Sequence, residues 1–302
     1  MSIIKVSNLT KDFGFGRGVF DVSFEVQKGE VFGFLGPNGA GKTTTIRHLM
    51  GFSRPQSGTT SILSKDGWLA HHEIKNHVGY LPGEVLLPDH LTGAGFIKQM
   101  AELRNIKSLK YAKELTERFA LDTSIKLKRM SLGTKRKLAI VTAFLHDPDV
   151  LLLDEPTGGL DPLMQDNFIQ FVKEEKKRGK TILLSSHIFS EVDATCDRVS
   201  IIKEGRLVST FCTKELKHSS RKEWKVEFAS LSELERFMQA GFEINLIKKE
   251  ANQVHVVFDD AQTGKFLTEM SGYKINFLSE IKATLENHFM KFYKKSEGED
   301  NV

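Results

Sequence analysis

Three short, almost uninterrupted apolar runs, 31–35, 150–153 and 181–184, stand out along the chain. Runs of this length bounded by turn signals predict strands buried on both faces, as in a parallel sheet. Ahead of them the pattern alternates. Phe20, Val22, Phe24 and Val26 fall on one side, with Asp21, Ser23 and Glu25 opposite, up to the turn at Lys28-Gly29, which predicts a half-buried strand. Elsewhere the spacing is helical. One helix is predicted from about Thr43 to Met50, closed by Gly51, and residues from about 92 to 145 read as mostly helical. Another helix opens at Asp161-Pro162, cap then proline, and closes at Gly179. Segments 199–202 and 206–208 predict a hairpin turning at Glu204-Gly205. Strands alternating with helices predict a layered, mostly parallel α/β domain over residues 1–212.

From about residue 222 the rhythm changes. Residues 224–228 predict a strand, and Ser230 with Glu233 forms a capping box for a helix ending at Gly241. Strands near 243–249 and 253–258 follow, then a helix to about Gly272, a strand to Phe277 and a last helix from Ser279. That β-α-β-β-α-β order is the split βαβ arrangement. It predicts a small α+β domain over 222–295, ferredoxin-like in its order, and a polar tail at 296–302.

Composition narrows the class. The 302 residues suffice for one to two domains, and 40% hydrophobic with 27% charged residues is ordinary for a globular chain. A net charge of +4 is small for this length and argues against a nucleic-acid partner. Cys196 and Cys212 are too few for a disulfide framework and lack metal-ligand spacing, as in a reduced compartment. The first residues have no signal-peptide pattern. No apolar stretch approaches the roughly 18–20 residues that a membrane span needs.

The chemistry concentrates in two places. Gly36-Pro37-Asn38-Gly39-Ala40-Gly41-Lys42-Thr43 fits the phosphate-binding pattern G-x-x-x-x-G-K-[ST], between a predicted strand and a predicted helix. Glycines at this spacing let backbone N–H groups wrap phosphates, and the helix adds its positive end. Lys42 would reach the outer phosphates and the Thr43 hydroxyl would bind Mg²⁺, with Thr44 the next residue of the cradle. The second place is Asp154-Glu155, directly after the run 150–153. Carboxylates at the carboxyl end of a buried parallel strand lie where ligands bind in α/β sheets. Asp154 suits holding Mg²⁺ opposite Thr43, and Glu155 suits orienting or deprotonating the attacking water. Alone, such an acidic pair would be an ordinary strand end.

These motifs and their neighbours resemble the nucleotide-binding domain of ABC transporters over roughly residues 1–212. Met130-Ser131-Leu132-Gly133-Thr134 stands where that family has its signature Leu-Ser-Gly-Gly-Gln; Ser131 and Gly133 match, while Leu132 and Thr134 depart. Thr157-Gly158-Gly159-Leu160-Asp161 is similar to the D-loop, His187 to the switch histidine that contacts the γ-phosphate, and Phe13 to the aromatic stacked on adenine. For Phe13 a plain core role remains open. The family's glutamine near Mg²⁺ is replaced by Gly83, so that either Glu84, one position along, or water supplies that ligand.

The resemblance implies a P-loop NTPase fold with an N-terminal antiparallel β subdomain and a helical subdomain at about 84–145. It implies ATP and Mg²⁺ as ligands. It also implies a second ATP-binding subunit, identical in the simplest case, and a separate integral-membrane subunit at the cytoplasmic face of the membrane. Ser131 and Gly133 would then touch the γ-phosphate held by the other cassette, with Asp161 at the interface. Leu81-Pro82-Gly83-Glu84 and the segment 284–289 are similar to ATPases of daunorubicin- and bacitracin-type exporters. An importer cassette and a soluble ATPase acting on ribosomes or DNA are the competing readings. The importers' β-barrel add-on does not fit the helices after 222, and ribosome or DNA relatives carry two cassettes or a long coiled coil. The last domain reads equally as a regulatory or dimer-supporting module and as a stabilising appendage. Lys291, Lys294 and Lys295 read as a solvated face, too few for firm binding to anionic lipid.

Overall fold

The structure, a computed structural model, describes residues 1–217, 221–281 and 284–294. Its packing separates two compact units, Met1–Thr213 and a second that begins at Lys214. The first runs through β1 (Ser2–Asp12), β2 (Gly18–Gln27), β3 (Val31–Leu35), α1 (Lys42–Leu49), β4 (Ser57–Ile62), β5 (Lys65–Asp66), α2 (His71–His77) and β6 (Val78–Leu81). It continues through α3 (Gly93–Leu103), α4 (Lys110–Arg118), α5 (Leu132–Phe144), β7 (Val150–Asp154), α6 (Pro162–Lys177), β8 (Thr181–Ser186), α7 (Phe189–Thr195), β9 (Arg198–Lys203) and β10 (Arg206–Cys212).

Six strands form the main sheet in the order β10-β9-β3-β8-β7-β6, parallel except for the β9–β10 hairpin. Every residue of β3, β7 and β8 is buried, the physical reason for their continuous apolar runs. A second, antiparallel sheet has the order β2-β1-β4-β5. Helices α3, α4 and α5 occupy the predicted helical stretch. The Arg118 guanidinium on α4 grips the Glu174 carboxylate on α6 at 2.5 and 2.9 Å, and Asn167 donates to the Arg118 carbonyl at 2.8 Å.

The alternation expected of β2 is interrupted. Asp21 adopts φ of 57°, and pairing slips across it, from Leu9 opposite Val22 to Lys11 opposite Val19. An extra residue at a bulge flips the side chains beyond it to the other face. Val19 is therefore fully buried together with Val22, and Phe20 is only half-buried.

After α8 (Thr213–Lys217), the second unit contains β11 (Arg221–Phe228), α9 (Leu231–Phe237), β12 (Glu243–Lys248), β13 (Gln253–Asp259), α10 (Thr263–Met270), β14 (Ile275–Ile281) and α11 (Leu285–Lys294). Its sheet has the order β12-β13-β11-β14 with every pair antiparallel. Phe228, Phe237, Phe258 and Phe266 fill its core. The Ser230 hydroxyl accepts from the Glu233 amide, capping α9. The helix expected from Ser279 begins later. Ser279 and Glu280 pair with Lys225 and Trp224 as the continuation of β14, and Thr284 caps α11, its hydroxyl accepting from the Asn287 amide at 3.1 Å. Ladder partners on β11 override the local helix signal. The tail 296–302, Lys295, and the side chains of Lys291 and Lys294 lie outside what is described.

Candidate nucleotide site

Strand order builds the site. β8 lies between β3 and β7, with Leu35 level with Ser186 and Asp154 level with Ser185. The three carboxyl ends therefore stand side by side: β3 leads into residues 36–41, β7 ends on Asp154 with Glu155 next, and β8 leads into His187. Gly36 has to be glycine, because a Cβ there would lie 2.5 Å from the Ile202 carbonyl oxygen. Gly41 precedes α1 with φ of 108°, and a Cβ would press on Val19 at 2.7 Å. Pro37, Asn38 and Gly39 are exposed, while Ala40 is buried and its carbonyl accepts from the Gly205 amide.

Lys42 curls back into this loop. Its Nζ donates to the Gly36 and Pro37 carbonyls at 2.6 and 3.1 Å and pairs with Glu155 Oε1 at 2.9 Å. Glu155 Oε2 lies 2.6 Å from His187 Nδ1. Thr43 donates its hydroxyl to Asp154 Oδ2 at 2.7 Å, and Ser185 donates to Asp154 Oδ1 at 2.5 Å. Asp154 is fully buried, and these two hydroxyls satisfy its carboxylate. Glu155 itself has φ of 48°, the left-handed region that few non-glycine residues adopt. Lys42, Thr43, Asp154, Glu155 and His187 thus form one connected cluster, and Thr44 follows on α1, its carbonyl contacting His48.

The fit to Mg²⁺ can be tested on these atoms. Thr43 Oγ1 and Asp154 Oδ2 are adjacent hard oxygen donors, and no group of three or more His, Cys, Asp or Glu gathers among the described residues. Mg²⁺ is commonly held by one or two such protein oxygens together with substrate phosphates. The donor set fits. Glu84 is exposed and shares no hydrogen bond with Thr43 or Asp154. Gly83 stands there instead, its position such that a Cβ would lie 3.0 Å from Asp154 Oδ2.

Other expected residues lie outside the cluster. Phe13 is 53% exposed, in the loop before Gly18, whose carbonyl borders Gly41. The more exposed Phe15, in the same loop, gave no signal in the sequence. Ser131 is an exposed N-cap, accepting from the Thr134 amide at 3.2 Å, and Asp161 caps α6 through the Met164 amide at 2.9 Å. Gly133 packs against its own D-loop, where a Cβ would meet the Gly159 carbonyl at 2.8 Å.

Two side chains were overlooked in the sequence. Ser185 is a polar residue inside a strand buried on both faces, a pattern that could have flagged it. Arg136 is a buried arginine on the same stripe of α5 as Ala139 and Ile140. It donates from Nε to the Gly158 carbonyl at 3.0 Å and from Nη1 to the Pro82 carbonyl at 2.7 Å. Nη2 reaches the Gly83 carbonyl at 2.5 Å. Burial lowers its pKa, while the Asp154 and Glu155 carboxylates oppose that shift.

The ABC transporter family model matches residues 19–158. The bacitracin transport ATP-binding protein BcrA of Bacillus licheniformis is 32% identical over 296 residues, which is 96% of this chain and 97% of that protein. The chain belongs to the ATP-binding subunits of ABC transporters. It is accordingly an ATP-binding ATPase of the P-loop cassette fold, its hydrolysis coupled to transport. A second relative of this ABC subunit is the probable multidrug ABC transporter ATP-binding protein YbhF of Escherichia coli (strain K12). It is 33% identical over 224 residues, 72% of this chain and 39% of that one. A solved ATP-binding subunit of an ABC transporter superimposes with a TM-score of 0.65 at 30% identity, covering 72% of this chain and 92% of that one. No helix among the described residues is long and apolar enough to cross a membrane.

Glu191 on α7 is 2% exposed and accepts from the Ser186 hydroxyl at 2.6 Å. Burial, reinforced by the Glu155 charge, pushes its pKa from 4.5 up to about 7. Below pH 4.5 both folded and unfolded chains hold this proton, and the contribution of Glu191 to stability is fully present. Between pH 4.5 and about 7 the unfolded chain releases it first, so stability falls, by about 3 kcal/mol in all. Glu191→Gln should flatten that decline, as measured by thermal unfolding of both proteins across the window. Parallel curves would show that the carboxyl does not titrate this way.

Proposed function

We propose that two copies of this ABC subunit close around two Mg-ATP and drive export by a separate integral-membrane subunit, from the cytoplasmic face of the membrane. The observation that carries the export reading is the likeness to a bacitracin transport ATP-binding protein. It runs through 96% of the chain and so takes in the second unit as well as the cassette. The second relative, a probable multidrug ABC transporter ATP-binding protein, is in keeping with a drug-like cargo.

In this reading Lys42 leaves Glu155 for the γ-phosphate, while the amides of residues 36–41 wrap the remaining oxygens. Thr43 and Asp154 would hold Mg²⁺, which supplies charge neutralisation between the outer phosphates. Glu155 accepts the proton of the attacking water, and His187 contacts the γ-phosphate. Phe13 offers its open ring to the adenine face. Ser131 and Gly133 of one copy would meet the γ-phosphate bound by the other, with Asp161 at the seam. Ser131 suits this because it is exposed at a helix N-terminus and its contacts are local. Loss of the phosphate removes what joins the two copies, and they part. The second unit, with its β12-β13-β11-β14 order, is assigned as a ferredoxin-like accessory domain.

The test is affinity purification of the tagged chain from detergent-solubilised membranes of the cell that encodes it. The expected result is one multi-span membrane protein recovered in stoichiometric amount, whose presence raises ATP hydrolysis. Recovery of a solute-binding protein with the complex, or of ribosomal proteins without any membrane protein, would overturn the export reading.

A further inference from the structure

Arg136 is 4% exposed and spends its guanidinium on three backbone carbonyls rather than on a carboxylate. Those carbonyls belong to two loops. Pro82 and Gly83 follow β6, and Gly83 stands directly against the Asp154 carboxylate. Gly158 follows Glu155 by three residues, and its amide donates back to the Glu155 carbonyl at 3.1 Å. One turn earlier on α5, Gly133 lies so near Gly159, the next residue along, that a Cβ would meet its carbonyl oxygen at 2.8 Å. A planar fork with several donors can hold such a constellation, whereas an ammonium presents a single point.

We propose that Arg136 is a positioning residue that clamps the 82–83 loop onto Asp154 and the 158–159 loop beneath Glu155, so fixing the carboxylate that faces the metal. Outer groups of this kind orient metal ligands without touching the ion. The clamp originates on the helix capped by Ser131. A displacement of that helix is therefore passed to both carboxylates through rigid backbone contacts. The inference rests on the reading of Thr43 and Asp154 as the metal-facing pair.

The experiment uses Mn²⁺ as a spin probe, titrated into the full chain with a non-hydrolysable ATP analogue and followed by electron paramagnetic resonance. Arg136→Lys keeps the charge and removes the fork. Mn²⁺ affinity should fall by about tenfold or more, while affinity for the analogue in excess EDTA stays close to that of the unaltered chain. Unchanged Mn²⁺ affinity, whatever happens to the unfolding temperature, overturns the inference, since a merely structural role would move only the latter. If Arg136→Lys does not fold, Arg136→Gln decides by the same readout. Its neutral amide can donate to one of the two loops but cannot span the carbonyls of Pro82, Gly83 and Gly158 together, and it should weaken Mn²⁺ binding in the same way. Wild-type protein whose analogue binding ignores Mn²⁺ would defeat the metal reading itself. Normal wild-type behaviour with unaffected variants would defeat only the role of Arg136.

Discussion

Glu155→Gln is expected to lower ATP turnover by about 10²–10⁴-fold, the range for losing a positioned general base, with ATP affinity preserved or improved. The carboxylate is held between Lys42 Nζ at 2.9 Å and His187 Nδ1 at 2.6 Å. When a γ-phosphate draws Lys42 away, Oε1 loses its partner and is free to accept a proton from water. Glutamine keeps the shape and loses that capacity. It also stops competing with phosphate for Lys42, which is why affinity should not suffer. The left-handed backbone at Glu155 points the same way: φ of 48° is tolerated here because the Glu155 amide is tied to the Ser185 carbonyl at 3.0 Å. Phosphate release gives the turnover, a fluorescent ATP analogue gives the affinity, and gel filtration with ATP shows whether a dimer accumulates. Turnover within tenfold of wild type would remove Glu155 from the chemistry.

What could be read in the sequence, and what could not, divides along physical lines. Strands β3, β7 and β8 were legible because burial on both faces leaves an apolar run with no phase to mistake. β1 was not. It spans eleven residues, but its pairing with β2 shifts register three times and Asn8 turns to φ of 48°, so no period survives. β6 is four residues long and contains a glycine, too little for a pattern. The phosphate loop was legible because its function is written in local spacing. The role of Gly133 within its own chain, and that of Arg136, depend on distant carbonyls, Gly159 for the one and Gly158, Pro82 and Gly83, at 22, 54 and 53 residues, for the other. No spacing rule reaches that far. A charged residue on a buried helical stripe was the only trace that Arg136 left.

Lys42→Ala is expected to weaken ATP binding by about 10–100-fold, the equivalent of one charge-assisted hydrogen bond. A larger loss would be expected if the ammonium waited unpaired, but it does not. Its Nζ already has two carbonyls and one carboxylate as partners. Binding exchanges these for phosphate oxygens, and only the difference counts. Removing the side chain also leaves Glu155 near the incoming phosphates without its cation, so repulsion adds to the loss. The second contribution is separable. Lys42→Ala combined with Glu155→Gln should recover part of the affinity lost by Lys42→Ala alone, since the uncompensated carboxylate is gone. Isothermal titration with a non-hydrolysable analogue, in Mg²⁺ and again in EDTA, measures both steps. If Lys42→Ala binds as tightly as wild type, the loop 36–43 does not hold phosphate in the way its geometry suggests. If the double variant is no better than the single, the Lys42–Glu155 pair carries no weight in nucleotide entry.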